Sequence, residues 1–168
     1  MKVYCGLCIL MIAGSAWADP AEALRHANRG SKWRSVAQYQ KAIEEYEQAY
    51  QEESRPGYLY WIAENYERLA NLPTKSAAEV LAAKQQALVV YESFIEVATS
   101  GEPGLDVARG RIEALRQEIK DLTVQAAERE ATLKAMNDKL DLLIHEVRAL
   151  RELLPRRDRG ATSAGFMR

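Results

Sequence analysis

The chain has 168 residues with 23 basic and 24 acidic side chains, a net charge of −1. That length holds one modest domain plus an extension, and the charge balance supplies no global field that would favour nucleic acid. Nine glycines and five prolines sit mostly between runs rich in Ala, Leu, Glu, Lys and Arg, which points to an all-α fold.

The first residues, MKVYCGLCILMIAGSAWADP, stand apart. Lys2 precedes an apolar run that ends at Ala16-Trp17-Ala18. A charged start, a short apolar core and an A-x-A site make residues 1–18 a signal peptide, with cleavage expected after Ala18. The run is shorter than the roughly 20 residues a spanning helix needs; an uncleaved N-terminal anchor is the rival reading. Cys5 and Cys8 form a CxxC that cleavage would make chemically idle. The rest of the chain then has no cysteine, and its stability rests on helix packing.

Breaks at Arg55-Pro56-Gly57, Asn71-Leu72-Pro73 and Ser100-Gly101-Glu102-Pro103-Gly104 divide the remainder of the chain into helices over 20–36, 38–53, 57–70, 75–99 and 104–154. Residues 19–103 read as a helical-repeat domain, residues 104–154 as a capping helix that continues into a coiled coil, and residues 155–168 as a flexible basic tail.

The second and fourth helices echo each other. In YQKAIEEYEQAY and KQQALVVYESFI, an Ala is followed four residues later by a Tyr that precedes a Glu: Ala42 and Tyr46, then Ala87 and Tyr91. Gly30, Trp33 and Ala37 recur 33 residues on as Ala63, Tyr66 and Ala70. The chain therefore carries an internal repeat near 33 residues, its second copy lengthened by 12 residues within NLPTKSAAEVLAAKQQ. Small residues let paired helices approach closely, and aromatic knobs fill the space beside them. Each unit leaves an apolar face that the next unit or a cap must cover.

Gly30-x2-Trp33, Tyr39-x2-Ala42-x3-Tyr46-x2-Ala49 and Ile62-Ala63-x2-Tyr66-x2-Leu69-Ala70 resemble the tetratricopeptide repeat (TPR) family, in particular a subgroup exported by Gram-negative bacteria. The resemblance covers about residues 20–119. It implies an α-solenoid of two TPR-like hairpins, a periplasmic location and a protein partner. Ser54 stands where the family often has Pro, with Pro56 two residues later, and Ala37 and Ala70 stand where Gly is common. In this family the first helix of each unit lines a concave surface. Through the register, that implies a partner-binding groove of Ser31, Arg34 and Ser35 in the first unit, with Tyr60, Glu64, Glu67 and Arg68 in the second. Arg34 and Arg68 suit a bidentate hold on a peptide carboxylate, and Tyr60 offers an apolar wall with a polar tip.

From Ile112 the sequence keeps a seven-residue register. Ile112, Ile119, Ala126, Leu133, Leu140, Val147 and Leu154 occupy one seam position, and Leu115, Leu122, Arg129, Met136, Leu143 and Leu150 the other. Only Arg129 among them is not apolar, a strong coiled-coil signal. A helix over this stretch would run roughly 65 Å, more than two hairpins can cover, so the seam is expected to oligomerise. β-branched residues paired with Leu in the first two heptads favour a parallel homodimer. Ile144 and Leu153 widen the stripe and leave a trimer open, while Ala126 and Arg129 leave room for a hinge. After Pro155 the tail carries Arg156, Arg157 and Arg159, the one route to membrane contact; a solvated tail is the plainer expectation.

Enzyme signatures are missing: no phosphate-cradling glycine loop, no GxSxG and no HExxH. His145-Glu146 begins like the last but continues Val-Arg-Ala, and His26 is far away in sequence. Glu44-Glu45 reads as a solvated helix face. No catalytic residue, cofactor or metal is expected. The expected role is an exported interaction scaffold that binds a protein through its repeats and self-associates through its coiled coil. The alternative is a structural spacer of the cell envelope that uses the repeats only to dock.

Overall fold

The computed structural model describes residues 19–153; residues 1–18, expected to be a signal peptide, and Leu154 with the expected basic tail lie outside the described residues. Five helices follow one another: α1 Pro20–Ser35, α2 Tyr39–Glu52, α3 Pro56–Ala70, α4 Ala77–Val97 and α5 Leu105–Leu153. No strand occurs among the described residues. The expected all-α architecture with a long last helix is therefore present.

Local chemistry sets the boundaries. Asp19 caps α1, its carboxylate accepting from the Ala21 N–H at 2.9 Å and the Glu22 N–H at 3.2 Å, and Pro20 opens the helix where no N–H is needed. Pro56 opens α3 in the same way. α1 stops at Ser35, one residue short of expectation, because Ala37 takes a left-handed backbone with φ +58°. α4 starts two residues later than expected because Ser76 caps it. The Glu79 N–H donates to the Ser76 hydroxyl, while the Ser76 N–H donates to the Glu79 carboxylate. That reciprocal pair satisfies two otherwise orphaned groups of the helix end.

The chain forms two compact units, one ending at Leu122 and one starting at Thr123. In the first, α1 packs on α2, α2 on α3, and α3 on α4. One buried cluster joins Ala23, Ala42, Ile43, Tyr46, Ala49, Tyr58 and Ile62. A second joins Ala63, Ala87, Tyr91 and Phe94 to Ala108, Ile112 and Leu115 of α5. The start of α5 is thus part of this core, and Lys84–Glu118 and Arg116–Glu92 ion pairs fasten its rim to α4. Tyr60 ties α3 to the second cluster through edge contacts with Tyr91 and Phe94, ring centroids 5.9 and 5.7 Å apart. Such pairs add about 0.5–1.5 kcal/mol beyond the area they bury.

The second unit contains the remainder of α5, and its described side chains are exposed. No helix among the described residues is long and apolar enough to cross a membrane.

The α4 cap has a pH signature. Hydrogen bonds from Lys75 and from the backbone and side chain of Ser76 hold the Glu79 carboxyl down at about 2, from an ordinary 4.5. A carboxyl depressed on folding stabilises the fold above its unfolded pKa and loses that contribution as pH falls through the folded value. Glu79→Gln should therefore melt below the wild type at neutral pH. The gap in Tm should close as pH drops from 4.5 to about 2. Thermal melts across that range check it; a gap that stays constant would mean the charge of Glu79 is not what supports the cap.

Candidate interaction surfaces

The first unit has a concavity of about 400 Å³ walled by α3, α4 and the start of α5. Tyr60, Glu64, Glu67 and Arg68 all line it, together with Asn71, Tyr91, Val107 and Arg111. Four of the seven groove residues expected from the repeat register therefore converge on one surface.

Helical spacing explains the convergence. Tyr60, Glu64, Glu67 and Arg68 follow one another at intervals of four, three and one, which keeps them on one face of α3. Glu64 is the hub: one of its oxygens, Oε1, accepts from Arg34 Nη2 at 2.7 Å, Arg68 Nη2 at 2.7 Å and Arg68 Nε at 3.1 Å. The Arg34 guanidinium also lies over the Trp61 ring, 4.5 Å from its centroid, a cation–π contact. Glu67 accepts from both Nε and Nη2 of Arg111.

These pairings change what the surface offers. A bidentate clamp of Arg34 and Arg68 on a peptide carboxylate is not what the geometry presents, because Glu64 already occupies both guanidinium groups. Arg68 is held further on the charged side by that hydrogen bond, and Arg111 likewise by Glu67. The other Glu64 oxygen, Oε2, is buried and accepts no hydrogen bond from the protein. A buried acceptor left unpaired costs about 1–3 kcal/mol. Burial, then the charges of Glu64 and Glu67, push the Tyr60 hydroxyl above its usual range, and burial and Glu67 do the same to Tyr91. Both phenols stay neutral donors.

Ser31 and Ser35 do not line this concavity. Ser31 is exposed, and Ser35 donates to the Lys32 carbonyl of its own helix at 2.7 Å. Arg34 reaches the site only through Glu64. The register could not reveal Tyr91, Val107 and Arg111, because it maps only the first helix of each unit and these residues come from α4 and α5. Glu45 also departs from expectation. It is half-buried rather than part of a solvated run, and accepts from Arg29 Nε at 2.9 Å beside His26 Nδ1 at 2.8 Å.

The expected seam splits in two. Ile112 and Leu115 are buried in the second core cluster, and Ile119 and Leu122 are half-buried. Ile112 and Leu115 therefore cannot belong to an oligomerisation surface, because Tyr91, Phe94 and Ala87 already cover them. The second unit differs: Leu133, Met136, Leu140, Leu143, Val147 and Leu150 are between 55% and 63% exposed, and Ile144 beside them is 40% exposed. The remaining expected seam residue, Leu154, lies outside the described residues. Ala126 and Arg129, the two weak seam positions, fall between the buried and the exposed stretches. No family model, curated protein or solved structure matches the chain.

Proposed function

We propose that the chain is an exported, TPR-like interaction scaffold. It self-associates through α5 from Leu133 onward and holds a protein partner at the concavity of its first unit. Export rests on the Ala16-Trp17-Ala18 site behind a short apolar run. The TPR-like reading draws support from three features. Consecutive helices pack in chain order. The register residues Gly30 and Ala63 are both closely covered, Gly30 by the Tyr46 ring and Ala63 in a cluster with Ala87 and Tyr91. Ala37, standing where the family favours Gly, takes the left-handed backbone that would explain that preference.

Self-association rests on one observation: six consecutive seam positions of α5 are more than half exposed on a single helix face. A continuous apolar stripe of this kind marks an interaction site. Covering each of these side chains contributes on the order of 1 kcal/mol. Paired replacement of Leu140 and Leu143 by Lys puts charges at adjacent core positions, where desolvation and like-charge repulsion both oppose pairing. Sedimentation at micromolar concentration should show an oligomer for the wild type and a monomer for the double variant. Helix content of the first unit should be kept, since its core contains neither residue. A monomeric wild type would sink the self-association reading. Crosslinking in intact cells followed by mass spectrometry identifies the partner; capture undiminished by Arg68→Glu would remove the concavity from the proposal.

A further inference from the structure

We propose that the seam of α5 is antiparallel, two copies meeting about a two-fold axis that passes between Leu140 and Leu143. The proposal rests on the self-association reading and adds to it the direction and register of the pairing.

The case for parallel strands rests on Ile112 and Ile119 set against Leu115 and Leu122. The first unit buries Ile112 and Leu115 and half-buries the other two, so that signal belongs to packing within one chain. What remains exposed is Leu133, Leu140 and Val147 at one seam position, with Met136, Leu143 and Leu150 at the other. These six residues hold a single β-branched side chain and favour neither direction by shape. Charge decides instead.

In a parallel, in-register pair each seam residue faces its own copy. Arg129 would then meet the partner's Arg129 at a core position next to Leu133, burying like charges. Of the flanking residues, Lys139 would fall beside the partner's Ile144, and only Glu146 would find an opposite charge, in the partner's Arg151. In the antiparallel pair the two seam positions face each other. Leu133 meets the partner's Leu150, Met136 the partner's Val147, and Leu140 the partner's Leu143. These layers are all apolar, and the two Arg129 side chains are carried apart to opposite ends of the seam, where neither faces a like charge. Lys139 now lies beside the partner's Glu146, and symmetry makes that pair twice. Side chains on a helix lean toward its N-terminus, which brings Lys139 and the partner's Glu146 toward one level. All of these residues are exposed, and Lys139 and Glu146 have no ion pair within their own chain among the described residues.

Disulfide trapping tests the direction in the full chain carrying Cys5→Ser and Cys8→Ser, so that the only thiols are introduced ones. Leu133→Cys and Leu150→Cys are made separately, then oxidised alone and mixed. The antiparallel seam predicts a disulfide between the two variants and none within either. In that seam like positions are roughly 25 Å apart, far beyond the Cα separation of about 7 Å that a disulfide tolerates. Disulfides within each variant alone would overturn the antiparallel direction while leaving self-association standing. A monomeric wild type in sedimentation would overturn both. A charge swap provides a second readout in case the thiol variants pair poorly. Lys139→Glu and Glu146→Lys should each raise the dimer Kd several-fold, and the double variant should restore it. Absence of that rescue overturns the proposed register.

Discussion

Leu115→Ala is expected to lower the unfolding free energy by about 2–5 kcal/mol, whereas Leu143→Ala, at the equivalent heptad position, should change monomer stability by less than about 1 kcal/mol. Leu115 is fully buried, in one cluster with Ile112, Tyr91 and Phe94. Truncation removes its transfer free energy and leaves a cavity that the two rings, themselves buried, cannot easily collapse into. Leu143 is 56% exposed and has no such cavity to leave. Urea titration below the concentration at which chains associate measures both, with an unchanged m-value showing that the comparison is of like with like. Equal losses would mean that the heptad register, and not the first unit's core, governs both positions.

Gly104→Ala should be the most damaging small substitution at a turn, costing about 2–5 kcal/mol from backbone strain and crowding together. Gly104 has φ +91°, and a Cβ there would stand 2.9 Å from Cε2 and 3.0 Å from Cδ2 of Tyr60. The ring cannot swing aside freely, because it is wedged by edge contacts against Trp61, Tyr91 and Phe94. Gly101→Ala is the control. Its φ is +97° but a Cβ would meet nothing within 4 Å, so only the strain of about 1–2 kcal/mol remains. Thermal or urea melts of the two variants separate the terms, and equal losses would mean that the Tyr60 contact yields at no cost. Tyr60 also lines the concavity, so Gly104→Ala should weaken partner capture beyond what Gly101→Ala does.

The groove marks where pattern stops being informative. Tyr60, Glu64, Glu67 and Arg68 follow from a 33-residue register because their helical spacing alone puts them on one face of α3. Their chemistry follows only in part. The Glu64–Arg68 pair is an i,i+4 contact along α3 that spacing could have suggested. Arg34, however, reaches Glu64 from another helix, 30 residues away in sequence, and no local pattern encodes that contact. Arg111 sits one residue before the first seam position and closes the concavity from α5 through Glu67, a partnership 44 residues long in sequence.

The sequence by itself determined the helices and, where both flanks lie among the described residues, their ends to within two residues. Capping, proline and glycine act over a few neighbouring residues: Asp19 and Pro20 start α1, Ser76 and Glu79 start α4, and Gly101 and Gly104 flank the turn before α5. It also determined the seven-residue apolar period of α5, which is a property of one helix face. Only the tertiary structure decided how that single period is divided. Periodicity states which side chains share a face but not what covers the face. The chain's own α3 and α4 cover Ile112 and Leu115 because Ala63 and Ala87 leave room for close approach there. In the second unit the described side chains are exposed, and the same repeat from Leu133 to Leu150 is left as an apolar surface.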